Sequence, residues 1–185
     1  VNNRAGYSYY TTAYYTDLTQ AYRLYTLALA NAADLGAMNR LRESAYLTLP
    51  AKWRLAAAYQ LVGQTTVAEE LVESLSTDVP KYNELSYTYG SDIRDEAMIL
   101  ETLVMMNDKK AAGLAKQIAE HMNSHKWMST QTTAYCLIAI SKYLGDNEVS
   151  DVMNFSYAVN GKEVEVKKTK NPISVSYTHL TLPTT

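Results

Sequence analysis

The residues best suited by type and spacing to do chemistry lie in Asp92-Ile-Arg-Asp-Glu96, where three carboxylates and one guanidinium fall within a single helical turn. Two carboxyls brought together in a cleft can divide the general-acid and general-base roles of glycoside hydrolysis. Acids in a first turn also stabilise the positive end of the helix dipole without any catalytic purpose. With Asp92 as the N-cap, helix stabilisation is the preferred reading of Arg94, Asp95 and Glu96, and the carboxylate pair is the sharpest enzymatic alternative.

The other candidates are weaker. His121 and His125 are four apart, a spacing that can put two imidazoles on one helix face as paired metal ligands. No third ligand stands in register with them, so they are read as an exposed helix end. Cys136 is the single cysteine of the chain, followed by Leu137, Ile138 and Ala139 with no adjacent base. Apolar surroundings raise a thiol's pKa and leave it inert, so Cys136 is read as a small core residue. One cysteine cannot form an internal disulfide, and its presence does not identify a compartment. Of the 16 tyrosines, Tyr7, Tyr9, Tyr10, Tyr14, Tyr15, Tyr22 and Tyr25 crowd the N-terminal part. Such rings suit sugar or protein contacts, but filling a helix interface is the preferred reading. There is no phosphate-cradling glycine loop and no Ser-His-Asp spacing. No catalytic, cofactor-binding or metal-ligating residue is assigned, and no cofactor.

The totals agree with an ordinary globular chain: 185 residues, 47% hydrophobic, 19% charged, formal charge -2. That charge gives no electrostatic ground for a nucleic-acid partner or an anionic membrane surface. No run reaches the roughly 20 apolar residues that span a bilayer. Val1-Asn2-Asn3-Arg4 has neither an initiator Met nor a signal-peptide core, so the chain reads as a cut piece. Residues 177 to 185 continue no earlier pattern and read as an appended, adapter-derived tail.

The elements that must position these side chains are helices. Strongly apolar runs recur at Leu24 to Ala33, Leu55 to Val62, Ala97 to Met106 and Ala134 to Ile140. Between them lie amphipathic segments. The clearest puts Ala111, Leu114, Ala115, Ile118 and Met122 on one face. Val67, Leu71, Val72 and Leu75 form a second stripe; Met38, Leu41 and Ala45, extended by Tyr46, form a third. Gly36, Gly63, Asn107 and Gly145 are the expected helix-ending, left-handed positions. Asp17 with Gln20 has capping-box spacing, Pro50 suits a first turn, and Asp92 and Ser129 are good N-caps. About seven helices in hairpins follow.

A dry helix alternating with a half-wet one is what a ring or superhelix of hairpins requires. The expected fold class is therefore mainly α: a partial α/α toroid over residues 1–147, followed by a short β segment. Because Ala134 to Ile140 carries no charge on any face, its helix is expected to be enclosed, and Leu137→Asp or Ile138→Asp to disrupt the fold. After Gly145 the period changes. Phe155, Tyr157 and Val159 alternate with polar neighbours, Asn160-Gly161 is a strong hairpin signal, and Val164 and Val166 resume the alternation. With Ile173 and Val175, residues 154–176 read as the start of a β-sandwich domain, the boundary lying near 146 to 153.

Three pieces in this order carry a family resemblance. They are Asp92-Ile-Arg-Asp-Glu-Ala-Met-Ile-Leu-Glu-Thr-Leu-Val, Trp127-Met-Ser-Thr-Gln-Thr-Thr-Ala-Tyr, and the β segment that follows. Over about residues 17 to 166 the chain resembles the thioester-type α/α-toroid domain of the α2-macroglobulin and complement superfamily, most closely its large bacterial members. The resemblance implies a broad-spectrum protease inhibitor in which bait cleavage triggers rearrangement around the protease. It also implies a periplasmic, extracellular or surface-anchored parent, whose partners are proteases and the other domains of the same chain. Many members carry a Cys-Gly/Leu-Glu-Gln thioester. No Cys-x-Glu-Gln occurs here, and residues 1 to 23 hold no histidine of the kind that assists thioester transfer. The expectation is a structural and conformational module without catalysis of its own, Ser129, Thr130 and Gln131 serving in capping and buried hydrogen bonding. The alternatives are an α/α-toroid carbohydrate-active enzyme, using Asp92, Asp95 or Glu96 with the tyrosines, and a helical-repeat peptide-binding scaffold.

Overall fold

The structure is a computed structural model that describes residues 4–82, 90–124, 126–146, 153–159 and 162–169, with side chains described for 17–82, 90–124 and 126–145. The chain divides into two units, Val1–Asp146 and Asn147–Thr185. The first is mainly α. Among the described residues it holds seven helices: α1 (Arg4–Leu29), α2 (Leu35–Arg42), α3 (Leu49–Leu61), α4 (Thr65–Val72), α5 (Asp92–Met105), α6 (Lys110–Met122) and α7 (Thr130–Asp146).

Three helix ends share one device. Asn31, Gly63 and Asn107 have φ of 55°, 77° and 54°, the left-handed conformation that stops a helix and turns the chain. At each, the next amide reaches back five residues: Ala32 N to Leu27 O at 2.8 Å, Gln64 N to Tyr59 O at 2.9 Å and Asp108 N to Leu103 O at 2.9 Å. These are Schellman closures, and they satisfy carbonyls that a helix end would otherwise leave bare. They end α1, α3 and α5 and begin the short connections to α2, α4 and α6. The expectation for Gly36 and Gly145 is corrected: Gly36 lies in the first turn of α2 and Gly145 within α7. The first left-handed position is Asn31, which tolerates positive φ because its short polar side chain can bond locally.

Helix starts divide similarly. Ser129 Oγ accepts from Thr132 N at 3.1 Å and begins α7, and Pro50 lies in the first turn of α3. At α5 the cap is Ser91, whose Oγ accepts from Arg94 N at 3.4 Å, so Asp92 is the first helical residue and not the cap. Asp17 does not begin a helix either. It lies inside α1, where its carboxylate accepts from Thr48 N at 2.6 Å and fastens the α2–α3 connection.

The odd-numbered helices neighbour one another in sequence order, α1 on α3, α3 on α5 and α5 on α7; α2 lies against α1 and α3, α4 against α3, and α6 against α5 and α7. Burial follows this order. From Trp53 to Tyr59 in α3, and from Ile93 to Leu103 in α5, every residue is buried. The even helices bury one stripe each: Ala111, Leu114, Ala115 and Ile118 in α6, Ala68 and Val72 in α4, Met38 in α2. Ala45 and Tyr46 lie beyond the end of α2 and are exposed, so they do not extend its apolar stripe.

The two outer members of the odd series differ from the inner two. In α7 the buried positions are Thr132, Cys136 and Ala139, while Leu137 and Ile138 are 55% and 48% exposed. The expected enclosure of α7 is corrected accordingly. Among the described residues the backbone of α7 runs beside α5 and α6, so small and hydroxyl-bearing side chains face these neighbours, while Leu137 and Ile138 face away. In α1, Leu27 and Leu29 are likewise exposed.

The second unit, taken by itself, contains β1 (Met153–Val159) and β2 (Lys162–Thr169), paired antiparallel. Val159 opposes Lys162 and Tyr157 opposes Val164, with a shift of register between Phe155 and Tyr157. Asn160-Gly161, Ile173, Val175 and residues 177 to 185 lie outside the described residues, as does His125.

Candidate functional site

The structure brings one charged residue from each of α3, α5 and α7 together. Glu101 of α5 is buried and accepts at both carboxylate oxygens. Arg54 Nη1 of α3 donates to Oε2 at 2.7 Å, the Tyr25 hydroxyl of α1 donates to Oε1 at 2.8 Å, and Lys142 Nζ of α7 also donates to Oε1. One carboxylate thus has a partner on every other odd helix. Burial alone would raise the Glu101 carboxyl. The Arg54 guanidinium and the hydrogen bonds from Lys142, Arg54 and Tyr25 overcome this and hold it below the ordinary range. Tyr25 is shifted the opposite way, raised by burial and by the Glu101 charge.

Aromatic rings lie beside this centre. The Arg54 guanidinium lies 4.3 Å from the Tyr25 ring centroid and 5.7 Å from that of Tyr22, distances at which a cation is attracted to a ring face. Tyr22 in turn meets Tyr135 of α7 edge-on at 6.3 Å. Of the seven N-terminal tyrosines, Tyr22 and Tyr25 therefore fill a helix interface. The side chains of Tyr7, Tyr9, Tyr10, Tyr14 and Tyr15 lie outside the described residues.

Asp92, Arg94, Asp95 and Glu96 do not form a solvated first turn. All but Asp92 are buried. Arg94 Nε donates to Asp95 Oδ1 at 2.8 Å, the Tyr82 hydroxyl donates to Asp95 Oδ2 at 2.8 Å, and Arg94 Nη1 reaches Gln131 Oε1 at 3.1 Å. Nearby, the Ser91 and Thr132 hydroxyls are 3.2 Å apart, and the Ser129 hydroxyl donates to Thr132 at 3.2 Å. The Ser-Thr-Gln element thus docks the start of α7 on the start of α5 through Ser129, Gln131 and Thr132, while Thr130 is exposed. Burial pushes the Asp95 carboxyl up, against the pull of Arg94 and Tyr82. Gly90 belongs to this arrangement. A Cβ there would stand 2.6 Å from Arg94 Nε, so the close approach requires a glycine.

Glu96 takes a different direction. Its carboxylate accepts from Gln117 Nε2 of α6 at 3.1 Å. Burial, with the nearby charges of Asp92 and Asp78, pushes it up to about 7. Asp95 and Glu96 therefore bind to different elements and are not brought together as an acid–base pair.

The remaining candidates are placed without a site forming around them. Cys136 is fully buried on the inner face of α7, and His121 lies in the last turn of α6. Among the described residues no three His, Cys, Asp or Glu side chains gather as metal ligands. A groove of about 400 Å³ beside α4 is lined by Glu69, Glu70, Glu73 and Asp108, with Lys110 as its cation. Among the described residues no helix is long and apolar enough to cross a membrane. Arg54, Glu101 and Lys142 were not marked from sequence, although a signal exists: a lone charge inside an apolar run must be paired if the run is buried.

No family model matches the chain, and neither a curated protein nor a solved structure matches it.

Proposed function

We propose that the helical unit is an α/α-toroid module of a protease-trapping protein of the α2-macroglobulin type, acting in conformational change and not in catalysis. The observation that carries this reading is the Glu101 carboxylate, which receives a bond from each of the other three odd helices. A module that must move as one body under a large rearrangement needs its inner helices locked to each other. A buried charge with three partners does this at a high cost of breakage. The docking of the Ser-Thr-Gln element through Arg94 and Thr132 and the ordered packing of α1, α3, α5 and α7 support the same reading. So does the resemblance of the residues that build them. On this proposal β1 and β2 open the next, β-sandwich domain, and the parent acts outside the cytoplasm.

The carbohydrate-enzyme reading has less support, because Glu101 is a single carboxylate between two cations and is held ionised. Asp95 and Glu96, moreover, have separate partners. The test uses the complete protein that contains this chain, incubated with an endopeptidase. A trap abolishes cleavage of a large protein substrate while leaving hydrolysis of a small peptide substrate intact. Equal inhibition of both substrates, or of neither, contradicts the proposal.

A further inference from the structure

The Arg54 guanidinium is fully buried, yet only one of its three nitrogens is engaged by a hydrogen bond. Nη1 donates to Glu101, while Nε and Nη2 have no hydrogen-bond partner. Those two are not an arbitrary pair. The Nε–H and one Nη2–H point the same way along one edge of the planar group, forming the fork that accepts both oxygens of a carboxylate. Charge points the same way. Arg54 and Lys142 bring two cations to the single carboxylate Glu101, so this centre lacks one negative charge.

We infer that the Nε–Nη2 edge of Arg54 is a binding site for a small free carboxylate, of formate or acetate size. A water molecule would satisfy the two donors but leave the charge uncompensated, whereas a planar anion does both. Tyr25 and Tyr22 lie beside the guanidinium, its central carbon 4.3 and 5.7 Å from their ring centroids, and neither supplies the Nε–Nη2 edge with a hydrogen-bond acceptor. The centre is not sealed from solvent: Tyr22 is 39% exposed and the Lys142 side chain 41% exposed. Displacement of the Tyr22 ring gives an ion its route in. The inference is independent of the protease-trap reading and can fail or hold without it.

The test follows thermal unfolding at constant ionic strength as sodium formate replaces sodium chloride, for the wild type and for Arg54→Lys. Helix content of both is checked by circular dichroism. The wild-type Tm is expected to rise saturably with formate. In Arg54→Lys, which keeps the charge but loses the fork, the midpoint is expected to move to at least about tenfold higher concentration. A Tm indifferent to the anion, or rising equally in both proteins, overturns the site. If Arg54→Lys does not fold, the arginine Nε–H resonances of the wild type decide: one slowly exchanging signal shifts saturably with formate and not with chloride. No such shift overturns the inference.

Discussion

Arg54 Nη1 donates to Glu101 Oε2 at 2.7 Å with both side chains buried, joining α3 and α5, whose middle turns are buried on every side. An ion pair in this setting is weak grounds for net stability, since desolvation offsets much of the attraction. Removing one partner is costly, because the other charge is left buried and alone. Here the cost is multiplied by connectivity, as Tyr25 and Lys142 lose the same acceptor.

Glu101→Gln keeps the size and removes the charge, leaving Arg54 and Lys142 facing an amide. It is expected to lower unfolding stability by about 3–5 kcal/mol in denaturant titration. Tyr25→Phe removes one hydrogen bond to a charged group and is expected to cost about 1.5–3 kcal/mol. A Glu101→Gln variant within 1 kcal/mol of wild type, in order-of-magnitude terms, would show that the centre does not hold the helices together.

Glu96 gives stability a pH dependence of unusual sign for a carboxylate. Its folded pKa, about 7, lies above the ordinary 4.5, so the folded state holds the proton more tightly. The resulting stabilisation is fully present below about pH 4.5 and is lost as pH rises through about 7. Glu96→Gln cannot ionise. Relative to wild type it is expected to gain stability progressively across that window, by on the order of 3 kcal/mol at its upper end. A difference that is flat from pH 4.5 to 8, in about equal steps of titration, contradicts the assignment.

The fold class was legible because period and composition are local. The dry runs of α3 and α5, the α6 stripe of Ala111, Leu114, Ala115 and Ile118, and the reversals at Gly63 and Asn107 could all be read from spacing. The polar centres were not. Tyr25 and Glu101 are 76 residues apart, and nothing local pairs them. Asp92 and Ser91 compete for one cap, and only the backbone decides between them. The enclosure of α7 failed for another reason: an uncharged run states what a helix can bury, not what is present to bury it.

On that account, Leu137→Asp in this chain is expected to change stability by no more than about 0.5 kcal/mol, because the side chain is mostly exposed. Leu100→Ala, at a fully buried site in α5, is expected to cost about 2–5 kcal/mol. Both are read from equilibrium unfolding curves. A large loss from Leu137→Asp would mean that something covers the outer face of α7.

The central claim is that Glu101 makes α1, α3, α5 and α7 a single cooperative body. Native-state amide exchange of Glu101→Gln against wild type tests it most directly. The expected result is a loss of protection by a common factor in all four helices, with α1 and α7 affected as much as α5. Loss confined to α5 and its nearest turn, with α1 and α7 exchanging as in wild type, would contradict it.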